Sequence, residues 1–125
     1  MYLNKDTFLD TETARQLYHE VAADMPIIDF HTHLPQQDIL DDHRFADLWE
    51  LWLKHDHYKW RLMRGCGINE ERITGNASPW EKFQAFASIM PLAVGNPVHH
   101  WAHLELQRVF GIDTVLSADT AEDVW

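Results

Sequence analysis

Cysteine is almost missing from this sequence: Cys66 is the only one in 125 residues. A single thiol excludes an internal disulfide and any zinc module built on paired cysteines. Cys66 itself reads as a small buried or half-buried thiol. Positive charge is scarce as well. Ten Lys and Arg stand against twenty Asp and Glu, a net charge of −10. Without clustered cations the chain has no footprint for a phosphate backbone, and nucleic acid is not an expected partner. Long apolar runs are absent too, none reaching the roughly 18–20 residues that a membrane span requires. The opening MYLNKDTFLD lacks the basic-then-apolar layout of a secretory leader. These absences together fit a cytoplasmic, reduced setting with no membrane partner. No internal repeat, low-complexity tract or Gly/Ser linker divides the chain, so residues 1–125 read as a single unit.

What is present is the composition of a folded protein, 46% hydrophobic and 24% charged. Helix signals recur along it. Ala14, Leu17, Tyr18, Val21 and Ala22 share one helical face, with Thr11 or Thr13 as the cap. Phe45, Leu48, Trp49, Trp52 and Leu53 repeat the spacing behind Asp41-Asp42. Ser78-Pro79-Trp80-Glu81 is a capping box with proline at the first helical position, opening a helix with Phe83, Phe86, Ala87 and Met90 inward. Asn96-Pro97 opens another that runs to about Phe110, where Gly111 stops it. Trp49 and Trp52 are expected in the core. A last helix begins at Thr120, close to Trp125.

One segment reads as a strand. Pro26 and Pro35 bracket Ile27-Ile28-Asp29-Phe30-His31-Thr32-His33, an apolar run that predicts a buried strand over about 26–33. A lone strand cannot form a sheet. With a helix cut off at its first turn, it suggests the N-terminal piece of a larger α/β protein. The alternative is a complete, mostly helical small domain. On a strand, residues two apart project to the same side. His31 and His33 would then leave the strand's C-terminal end together, able to grip one divalent metal ion such as zinc, with Asp29 on the same face to orient a ligand. Two ligands do not complete a site, and no other segment offers a clear third. His99, His100 and His103 meet on one helix face, but they read as structural histidines with satisfied hydrogen bonds. His19, His43 and His55 read as surface residues.

Asp29-x-His31-x-His33 after a first strand resembles the opening motif of the amidohydrolase superfamily. Within it, residues 26–35, Asp-His-Tyr-Lys-Trp-Arg-Leu-Met-Arg at 56–64, Thr-Gly-Asn-Ala-Ser-Pro-Trp-Glu-Lys-Phe at 74–83 and His-Trp-Ala-His-Leu-Glu-Leu at 100–106 resemble the N-terminal region of the uronate isomerase family. The resemblance implies the N-terminal part of a (β/α)₈ TIM-type barrel: an N-terminal helix, the first barrel strand and a helical insertion. A barrel takes about 250 residues, so this chain is expected to be a truncated polypeptide, inactive alone. The resemblance implies aldose–ketose isomerisation of D-glucuronate to D-fructuronate and of D-galacturonate to D-tagaturonate. It places His57 and Tyr58 at the sugar site as catalytic residues, with His33 beside them in substrate binding. It makes His31 and His33 metal ligands, zinc being the expected ion, and leaves the remaining ligand to a later barrel strand. Lys59 and Arg61 read as solvated helix charges. The expected partners are a small hexuronate and further copies of the chain, as a homo-oligomer or a strand-exchanged assembly. The competing readings are a metal-dependent hydrolase of the same superfamily and a helical module docking through its tryptophan-rich faces.

Overall fold

The computed structural model describes residues 2–125, which fall into two compact units, one up to Thr32 and one from His33 to Trp125. In the first unit the regular structure is α1 (Glu12–Glu20) followed by a 3₁₀ turn, Ala22–Asp24. Of the two candidate caps it is Thr11 that acts, its hydroxyl accepting from the Ala14 N–H at 3.0 Å. The loop before α1 is tied back onto it. The His19 ring meets the Asp6 carboxylate at 2.7 Å, and Arg15 donates to the Leu9 carbonyl at 2.9 Å.

The strand expected over 26–33 does not form: helices and 3₁₀ turns are the only regular elements among the described residues. A strand exists through the ladder it makes with a neighbour. No neighbour among the described residues supplies one. Ile27, Ile28 and Phe30 accordingly stand 92%, 86% and 96% exposed. The apolar run is suited to burial, but composition cannot provide the surface that buries it.

The second unit holds six helices: α2 (Gln36–Leu40), α3 (Leu48–Trp52), α4 (His57–Gly65), α5 (Pro79–Ile89), α6 (Pro97–Phe110) and α7 (Ala121–Val124). The helix expected behind Asp41-Asp42 starts later, because Asp47 is the residue whose side chain caps it, accepting from Glu50 N–H at 2.8 Å. Asp41 instead ends α2, and Asp42 turns the chain with φ +49°. The capping box forms as read: Ser78 accepts from Glu81 N–H at 3.3 Å and Glu81 accepts from Ser78 N–H at 2.8 Å. Asn96 caps α6, and Gly111 ends it at φ +69°, a left-handed conformation that glycine adopts without a Cβ clash.

α5 is the centre of this unit. Phe83, Phe86 and Ala87 on it have no exposure, and Trp52, Leu53, Met63, Met90, Leu106 and Leu116 pack around them. Trp52 is also buried but not mute: its indole N–H donates to Glu105 at 2.6 Å and so ties α3 to α6. Trp49 and Cys66 are half-buried against the core.

His99 and His103 belong to this core rather than to a site. His99 donates from Nδ1 to the Met90 carbonyl at 2.9 Å. His103 uses both nitrogens: Nε2 accepts from Leu116 N–H at 2.9 Å, so Nδ1 carries the proton it donates to the His99 carbonyl at 2.6 Å. That arrangement needs a neutral ring. Burial lowers the His103 pKa below 6.5; the hydrogen bond to His99 opposes this, and the nearby His99 and His100 assist it. The unfolded chain therefore binds the proton more readily, and His103 contributes stability that is fully present above pH 6.5 and is lost as the pH falls below it. We expect the urea midpoint to fall between about pH 8 and about pH 5, and the fall to shrink in His103→Gln. An equal fall in that variant would assign the pH dependence elsewhere.

Candidate active site

Asp56 organises the site from one side chain. It sits before α4 in an extended conformation and accepts on Oδ1 from Tyr58 N–H at 2.9 Å and Lys59 N–H at 3.4 Å, satisfying donors that a helix start leaves open. The same oxygen lies 3.1 Å from His33 Nδ1. A carboxylate only accepts, so Nδ1 carries a proton and donates it to Asp56. The other oxygen, Oδ2, pairs with Lys59 Nζ at 3.2 Å. Burial would raise the Asp56 pKa, but the Lys59 charge and the hydrogen bonds from His33, Lys59 and the Tyr58 backbone outweigh it and hold the carboxyl below its usual range.

Around this anchor three rings gather. His33 stacks on His57 at 5.2 Å between centroids and on Tyr58 at 4.6 Å, with interplanar angles of 24° and 23°. His57 and Tyr58 lie 4.7 Å apart. Both belong to the first turn of α4 and both are exposed, with Tyr58 at 44%. The cluster thus presents two imidazoles and a phenol at a helix start, facing outward. Imidazoles and phenols both donate and accept hydrogen bonds and are side-chain types used in general acid–base catalysis.

The three expected substrate-side residues are therefore brought together, and His31 is not among them. It belongs to the first unit, where its backbone N–H donates to Asp29 Oδ1 at 3.1 Å. With no strand, the inference that His31 and His33 project side by side loses its geometric premise. Among the described residues no group of three His, Cys, Asp or Glu side chains could hold a metal ion. The donor chemistry at His33 nevertheless suits one: a carboxylate on Nδ1 is how metal-binding imidazoles are commonly oriented. Lys59 corrects its reading as a solvated charge, being half-buried between Asp56 and the Trp52 ring, 5.8 Å from the latter's centroid. Arg61 is exposed, with its guanidinium 5.4 Å from the Tyr58 ring.

Asp56 escaped the sequence reading as a site residue. Its signal was there, an aspartate just before a helix, but that signal announces a cap and says nothing of a second partner 23 residues away.

The chain that carries this cluster matches isomerases along its whole length. The family model for glucuronate isomerase matches residues 1–125, and the chain belongs to that family. The uronate isomerase of Pectobacterium carotovorum subsp. carotovorum is 54% identical over 125 residues, which is 99% of this chain and 27% of the relative. That of Clostridium perfringens is 52% identical over 124 residues, with the same shares of each chain. A crystal structure of uronate isomerase from Thermotoga maritima superposes with a TM-score of 0.92 at 46% identity, covering 100% of this chain and 28% of that one. The chain thus spans 27% of the length of these curated relatives. No helix among the described residues is long and apolar enough to cross a membrane.

Proposed function

We propose that this chain supplies the His33–His57–Tyr58 wall of the sugar site in a uronate isomerase, an enzyme that interconverts D-glucuronate with D-fructuronate and D-galacturonate with D-tagaturonate. The observation that carries the reading is the stacking of those rings on one carboxylate-anchored helix start. The reaction moves a carbonyl from C1 to C2 of the open-chain sugar. A proton leaves C2, an enediolate forms, and a proton arrives at C1 while the oxygens exchange theirs. Each transfer needs a group within hydrogen-bond reach and a donor aimed at the developing oxyanion. Tyr58 offers a phenolic O–H for that proton traffic, and His57 holds or relays a proton beside it.

The proposed architecture is a (β/α)₈ barrel, to which this helical chain contributes part. His31 and His33 would be two ligands of a divalent metal, with zinc the ion that imidazoles suit, and other ligands coming from further along a full-length family member. Bound there, such an ion would polarise substrate oxygens as a Lewis acid. The test is a chimera: residues 1–125 replace the matching segment of the Thermotoga maritima enzyme, and ketose formation from glucuronate and galacturonate is measured. Conversion of either sugar is the expected result. A folded chimera that converts neither would overturn the proposal.

A further inference from the structure

We infer that Asp56 is a positioning residue of this site, its carboxylate holding the His33 ring and the helix start that bears His57 and Tyr58 as one piece. The inference rests on the isomerase reading for its consequence in turnover, but its geometry stands apart from it. Oδ1 receives three N–H groups, two from the backbone of α4 and one from a ring 23 residues earlier in the chain. A cap alone needs only the first two. The third fixes which nitrogen of His33 carries the proton and in which plane the ring lies, and that plane is the one in which His57 and Tyr58 stack. Lys59 in turn holds Oδ2, so the carboxylate itself has little freedom to rotate.

Two substitutions separate the cap from the hold on His33. Serine caps a helix as well as aspartate does but is one heavy atom too short to keep both partners; asparagine keeps the cap and an acceptor of the same length. The first measurement uses the 125-residue chain labelled with ¹⁵N at histidine. Wild type and Asp56→Asn should show His33 protonated on Nδ1. Asp56→Ser should shift it toward the other tautomer while the Tyr58 and Lys59 amides keep their wild-type exchange rates. His33 signals that are the same in Asp56→Ser as in wild type would overturn the inference. So would a His33 that is not Nδ1-protonated in wild type.

The second measurement is turnover in the chimera. Asp56→Ser should lower kcat by roughly 10–100-fold, the usual loss when the partner orienting a functional histidine is removed, with Asp56→Asn recovering most of it. Wild-type kcat in Asp56→Ser would overturn the positioning role. If the unsubstituted chimera converts neither sugar, the isomerase reading fails, and the tautomer measurement still decides whether Asp56 governs His33.

Discussion

Tyr58→Phe is expected to lower kcat on glucuronate by about 10²–10⁴-fold in the chimera, the span over which a positioned proton-transfer group contributes. The substitution removes one oxygen and leaves the ring. The ring is what stacks on His33 and His57, at 4.6 Å and 4.7 Å between centroids, and what Arg61 covers. Tyr58 is also half-exposed, so the missing hydroxyl leaves no buried void. Folding should therefore be unchanged, and KM should move little, because binding through the rest of the sugar survives. A loss confined to kcat is the signature of a group that acts in the transition state. A rise in KM at constant kcat would instead make Tyr58 a binding residue only. Unchanged kinetics would remove it from the site altogether.

The helices were legible where their signals are local. Ser78 and Glu81 are three residues apart, and each satisfies a backbone N–H of the other, so four consecutive residues contain the whole device. Asn96 and Gly111 bracket α6 on the same principle. The helix expected behind Asp41-Asp42 starts later because two acidic sites compete as its start: the Asp41-Asp42 pair comes first in sequence, while Asp47 is the side chain that reaches a helical N–H. Residues 26–33 failed for a deeper reason. Their composition reports a preference for burial and extension, but a strand is a relation between two segments, and only one of them can be read from that stretch. The site divides in the same way. His57 and Tyr58 were singled out through the family motif they belong to. Lys59, in the same motif, was read as a solvated helix charge, and Asp56 was given no role of its own. The meeting of Asp56 with His33 is a tertiary contact that no spacing rule encodes.

Phe86→Ala should be the most damaging single change to the second unit, lowering its stability by about 3–5 kcal/mol. Phe86 has no exposure, and its ring meets Trp52 edge-on, at 6.2 Å and 65°, in the middle of the packing between α3 and α5. Truncation removes that contact and leaves a cavity whose walls are Trp52 and its neighbours. Those walls are themselves fixed: the Trp52 indole is hydrogen-bonded to Glu105, and the backbone around α5 is held by its capping box. A site that cannot collapse suffers the upper part of the range. Domains of this size are stable by only about 5–15 kcal/mol, so the loss takes a large share of the total. The consequence reaches the candidate site because α4, which bears His57 and Tyr58, packs on α5. Urea unfolding followed by tryptophan fluorescence measures the effect, with Phe86→Leu as the volume-sparing control expected to lose much less. A Phe86→Ala midpoint within error of wild type would show that this core relaxes around the cavity, contrary to the rigidity assigned to Trp52.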